Sequence, residues 1–113
     1  MADDLGLMTG TLDLLVLRTL AWGPRHGFAI AKWIKGTSDD TILVEDPALY
    51  IALHRLEERG FVESEWGVSE NNRRARYYQL TRKGRKHLEV RSEHWARYAE
   101  AVFKILHAGP GEA

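Results

Sequence analysis

The sequence predicts a mainly α fold in which three helices are closed by a small β-hairpin and followed by a long fourth helix. Three observations carry that expectation. Apolar residues recur at helical spacing in four separate segments. Two strand-like runs, "FVESEW" and "ARYYQL", flank an Asn-Asn pair suited to a hairpin tip. In the last helical segment Leu88, Trp95 and Val102 stand seven residues apart, a short heptad seam.

The first helix is expected over about residues 10 to 21, with Thr9 or Thr11 near its N-cap. Leu12, Leu15, Val16 and Leu20 form one face, while Leu14 and Leu17 lie off it. A short helix that is apolar nearly all round is buried on two sides, so Leu14 and Leu17 are expected to meet a second subunit. "GPRHG" reads as a turn. The second helix, "FAIAKWIKG", places Phe28, Ile30, Ala31 and Ile34 on its apolar side and is expected to stop at Gly36. After the polar "TSDD", the β-branched run "TILV" at 41–44 reads as a strand.

In "EDPALYIALHRLEERG", Asp46 suits the N-cap, Pro47 the first helical position and Gly60 the end of the third helix. Leu49, Leu53 and Leu56 then face the core, and Pro47, Ile51, His54, Arg55 and Glu58 the opposite side, with Tyr50 on the flank. Strand alternation puts Tyr78 and Leu80 inward, and Tyr77 and Gln79 outward. Thr81 caps the last helix, expected over roughly 82 to 107, with "GPGEA" as a frayed tail. Three helices and a hairpin in this order make a winged helix-turn-helix over residues 1–81. Residues 82–107 form a C-terminal dimerisation helix, with a flexible tail at 108–113. Leu88, Trp95, Tyr98, Ala99, Val102, Phe103 and Leu106 join Leu14 and Leu17 as the expected dimer surface.

Composition narrows the function. The chain has 113 residues, no cysteine, and sixteen Lys+Arg against sixteen Asp+Glu. Disulfides and thiolate metal sites are therefore excluded, which suits the cytoplasm. The longest apolar segment, around 12–22, is interrupted by Asp13 and Arg18 and is too short to span a bilayer. His26, His54, His87, His94 and His107 never stand beside acids at a metal-ligand spacing, and no phosphate-cradling glycine loop occurs. Neither catalysis nor a cofactor is expected. His87 and His94, seven apart, are expected to edge the dimer seam.

The neutral total hides a gradient. Residues 1–68 hold eleven acids and six bases, a net of −5, whereas residues 69–91 hold eight bases and two acids, a net of +6. A local concentration of that kind points to a local anionic partner. Duplex DNA is such a partner, because lysine and arginine release the counterions condensed on its phosphates. Arg73, Arg74 and Arg76 gather at the hairpin, where arginine can fork onto phosphate or enter a narrow minor groove. Asn71 and Asn72 add neutral donors and acceptors. On the third helix, Tyr50, His54 and Arg55 are the polar candidates for reading bases, and Ala48 and Ile51 can touch a thymine methyl. The competing reading is a protein-interaction module, in which Tyr50 and Ile51 form an apolar patch and the arginines meet an acidic protein surface.

The stretches "TLDLLVL", "GPRHGFAIAKWI", "LYIALHRLEERGFVESEW" and "NNRRARYYQLTRKG" resemble the PadR family of bacterial transcription regulators, over about residues 10–106. The single C-terminal helix resembles the compact branch of that family. The resemblance implies a homodimeric repressor on a pseudo-palindromic operator in double-stranded DNA, released in many relatives by a small aromatic effector. It places Tyr50, His54 and Arg55 on the recognition helix and Asn71, Asn72, Arg73, Arg74 and Arg76 in the wing. Lys32 and Lys35 on the second helix then face the DNA backbone. Trp95, with Tyr98 beside it, falls where some relatives form an effector pocket, although a large aromatic there equally fills a dimer core. The chain departs from the pattern at "PALYI", with Pro47, Ala48 and Ile51 in place of Gly, Ser/Thr and Pro, and at Phe28, where Tyr is common.

Overall fold

The computed structural model describes residues 10–111. Helix α1 spans Thr11–Thr19 and runs into a single 3-10 turn, Leu20–Trp22. Strand β1 is Arg25–His26, α2 is Gly27–Thr37 and α3 is Asp46–Glu58. The hairpin pairs β2 (Val62–Val68) with β3 (Arg74–Leu80), and α4 covers Arg82–Leu106. The fold is therefore mostly helical with one small antiparallel sheet, and the long C-terminal helix is present.

One apolar core unites the helices with the base of the hairpin. Val16, Leu17 and Leu20 from the first segment meet Ile30 and Ile34 from α2 and Leu49, Leu53 and Leu56 from α3. Phe61, Val62, Tyr78, Leu80 and Leu88 close it from the sheet and the start of α4. The i, i+4, i+7 spacing expected for α3 is thus the buried face. Tyr78 lies inward and Tyr77 is half-buried, as strand alternation requires.

Local signals set most boundaries. The Thr81 hydroxyl accepts from Gly84 N at 2.9 Å, capping α4. Asn72 sits at φ 59 in the hairpin tip, a left-handed angle that asparagine tolerates. Gly60 at φ 80 follows the end of α3. The N-cap of α3 is Glu45 rather than Asp46, with no side-chain cap bond, which moves Pro47 one place inward while leaving it in the first turn. The first helix is capped by the backbone of Gly10, and Thr9 lies outside the described residues.

Four further expectations are corrected. Residues 41–44 form no strand, and the third place in the sheet, ordered β1-β3-β2, belongs to Arg25–His26. A strand needs a partner edge: Arg25 pairs with Tyr78 and His26 with Tyr77, whereas the "TILV" run packs irregularly, with the Ser38 hydroxyl accepting from Ile42 N at 3.0 Å. Gly36 lies inside α2, which ends at Thr37. Phe28 stands in the first turn of α2 and is 72% exposed, because Ile30 and Ile34 take the inward positions. Leu17 and Leu88 are 1% and 8% exposed within the single chain, so nearly all of their surface is spent in its own core.

Candidate nucleic-acid interface

The N-terminal half of α3, the first turn of α2 and the hairpin converge on one side of the molecule. They line a groove of about 680 Å³ to which α2 contributes Phe28, α3 contributes Tyr50, and the hairpin contributes Trp66, Asn71, Arg73, Arg74 and Arg76. The Tyr50 ring leans against Gly27 and is half-exposed. Ile51, Ala48 and His54 are exposed on the same helix, and Lys32 and Lys35 are exposed on α2.

The hairpin is held by its own chemistry. At the tip, Asn72 N donates to Ser69 O and Ser69 N to Arg73 O, both at 2.8 Å. Behind it, the His26 imidazole joins the wing to α2. Nε2 lies 3.5 Å from a Glu70 carboxylate oxygen, while Nδ1 accepts from Ala29 N at 3.2 Å and caps α2. The Glu70 carboxyl is held below its ordinary range by its own backbone N–H and then by His26. Tyr77 adds a hydroxyl bond to Val68 O at 3.0 Å, along the strand pair.

The three wing arginines are not equivalent. Arg76 faces Trp66 across the strands and is tied to α3: its Nε donates to the Ser64 hydroxyl at 2.9 Å, and Ser64 donates to Glu57 at 2.7 Å. A second arm of Arg76 stands 3.7 Å from the same carboxylate. Arg74 lies 4.3 Å above the Trp66 ring, which limits its rotamers without neutralising its charge. Among the described residues the Arg73 guanidinium has no hydrogen-bond or ion-pair partner. Charge at the tip is thus carried by Arg73 and Arg74, and Arg76 braces the wing against the helix.

Arg55, expected among the base readers, is committed elsewhere. Its Nε donates to Asp13 Oδ2 at 3.0 Å and its Nη2 to Oδ1, a two-pronged bond from α3 to α1. The bond to Asp13 raises the guanidinium pKa. His54 lies 3.4 Å from Glu58 one turn along. Sequence reasoning missed Trp66, Glu57 and Asp13 as supports, because each acts through a partner on another element.

A second concavity, of about 460 Å³, opens between α1 and α4 and is lined by Gly10, Thr11, Leu14, Arg91, His94, Trp95 and Tyr98. Further along α4, Ala99 and Val102 are half-buried, and Phe103, Ile105 and Leu106 after them are exposed. His87, expected at the seam, stacks on Phe61 with ring centroids 4.0 Å apart, and burial pushes its pKa down. No group of His, Asp and Glu able to hold a metal occurs among the described residues, and none of their helices is long and apolar enough to cross a membrane.

Comparison with known proteins gives one consistent result. The profile of the "Transcriptional regulator PadR-like family" matches residues 16–90. A PadR family transcriptional regulator from Eggerthella lenta is similar at 32% identity, covering 88% of this chain and 85% of its own, with a TM-score of 0.72. A transcriptional regulator from Clostridium thermocellum superposes with a TM-score of 0.76 at 28% identity, covering 88% of this chain and 97% of its own. A PadR family regulator from Clostridium difficile does so at 0.74 and 25% identity, covering 86% and 99%. With the profile spanning most of the chain and a shared winged-helix fold, the chain belongs to the PadR-like family of DNA-binding transcriptional regulators.

Proposed function

We propose that the protein is a homodimeric repressor of the bacterial cytoplasm that reads a pseudo-palindromic operator and responds to a small aromatic effector. The observation that carries the reading is the groove itself: an exposed helix face, a half-exposed tyrosine and an arginine-tipped wing share one surface. In this reading the start of α3, with Ala48, Tyr50, Ile51 and His54, enters the major groove. Asn71, Asn72, Arg73 and Arg74 meet the neighbouring backbone, and Lys32 and Lys35 neutralise phosphates beside them. Arg76 and Arg55 hold the wing and helix in place.

The dimer is supported by the apolar surface of α4, where Trp95, Tyr98, Phe103 and Leu106 are between 45% and 71% exposed. A helix with that much uncovered aromatic and aliphatic surface suits a second copy. Trp95 and Tyr98 also line the concavity against α1, which supports them as walls for a planar effector. One fact favours a protein-interaction module instead. Phe28, Tyr50 and Ile51 are all more than half exposed, an apolar patch that a protein partner could cover.

Titration with duplex from the region upstream of its own gene, beside a scrambled duplex and at several salt concentrations, separates the two. An operator reader binds the native duplex more tightly, and its affinity falls steeply as salt rises. Equal, weak binding to both duplexes moves the interaction module ahead.

A further inference from the structure

The reading face of α3 is short of hydrogen-bonding side chains. Pro47, Ala48 and Ile51 are exposed there, with Ile51 at 62%, and none can donate or accept through its side chain. His54 lies against Glu58, and Arg55 is turned to Asp13 on α1. Between Asp46 in the first turn, whose charge repels phosphate, and His54, the Tyr50 hydroxyl is then the one polar side-chain group on the helix. Base edges in the major groove offer acceptors, amino donors and a single kind of apolar group, the methyl on C5 of thymine. An isoleucine pressed on an acceptor or amine leaves that group without a partner, whereas on a methyl it removes apolar area from water.

We propose that this face discriminates by C5-methyl groups, with Ile51 as the principal specificity residue. The inference rests on the DNA-reading function above and names what that reading selects. The basic wing beside the face commits the occupant to a polyanion, and double-stranded DNA is the polyanion that presents methyls in a groove wide enough for a helix. Methylation of cytosine at C5 puts the same group at the same place in the groove, so the face takes 5-methylcytosine in place of thymine at a contacted position. Recognition would then respond to DNA methylation as well as to sequence.

The test uses the full chain and four duplexes of equal length: alternating A-T, alternating A-U, alternating G-C, and alternating G-C with every cytosine methylated at C5. The expected result is tighter binding to A-T than to A-U by about fourfold per methyl buried, and to methylated over unmethylated G-C in the same direction. Ile51→Asn should shrink both differences to within about twofold while leaving the salt dependence unchanged. Equal affinity for A-T and A-U, with methylated and unmethylated G-C also alike, overturns the methyl proposal and leaves DNA binding standing. A full methyl preference in Ile51→Asn overturns the assignment to Ile51. Failure to bind any of the four duplexes and the duplex upstream of its own gene alike overturns the DNA-reading function and the inference with it.

Discussion

Arg55 and Arg73 carry the same charge in different settings. Arg55 is spent on Asp13, whose side chain is only 16% exposed, so removing Arg55 strands that carboxylate in a partly dry site. Arg55→Ala is therefore expected to cost about 1–3 kcal/mol of stability and to leave the salt dependence of DNA binding unchanged. Denaturant unfolding beside a salt titration checks this; an unchanged stability with a shallower slope would make Arg55 a phosphate contact instead. The pair was illegible in the sequence. Its members lie 42 residues apart, and helical periodicity places Arg55 on the outer side of α3 without saying that α1 passes there. Trp66 was hidden for the same reason, since its place beneath Arg74 depends on the pairing of β2 with β3.

Among the elements, those marked by local chemistry were legible and those set by distant pairing were not. Thr81, Gly60 and the Asn71-Asn72 tip identified the start of α4, the end of α3 and the hairpin, because a cap or a left-handed angle depends on a few neighbouring residues. The two-residue β1 has no periodicity to read, and the β-branched run at 41–44 imitated a strand that has no edge to join. Glycine was ambiguous. Gly36 lies within α2 at an exposed position where an added Cβ meets nothing, so Gly36→Ala should stabilise by about 0.5–1 kcal/mol. Gly84 is the opposite case: a Cβ there would stand 1.9 Å from the Phe61 carbonyl oxygen, where α4 passes the link between α3 and β2. Gly84→Ala should cost about 3 kcal/mol, as overpacking against fixed backbone does. Comparing denaturation midpoints tests both, and a destabilised Gly36→Ala variant would contradict the helix assignment.

The described residues extend 61 × 32 × 21 Å, and the 25-residue α4 buries only Gly84 and Leu88 among them. The heptad row through Trp95 and Val102, with Tyr98 beside it, was legible because a heptad needs only its own helix, and Trp95 and Tyr98 are exposed on it. Which of its members stay inside one chain was not, since Leu88 obeys the same spacing as Trp95. If the exposed part joins two copies, Trp95→Ala with Phe103→Ala should weaken self-association at least roughly tenfold, as removal of central aromatic anchors does. Sedimentation over a concentration series measures it, and a wild-type chain that stays monomeric at every concentration would contradict the dimer.

Replacing Arg73 and Arg74 together with alanine and measuring affinity against salt asks whether the arginine-tipped wing beside the exposed helix grips DNA. Both side chains stand outside the core, so the fold should persist. Binding to every duplex should weaken, and the log-log salt slope should become shallower by about two, one unit for each phosphate no longer neutralised. An unchanged slope would contradict it, and would place the grip of this protein on DNA somewhere other than its wing.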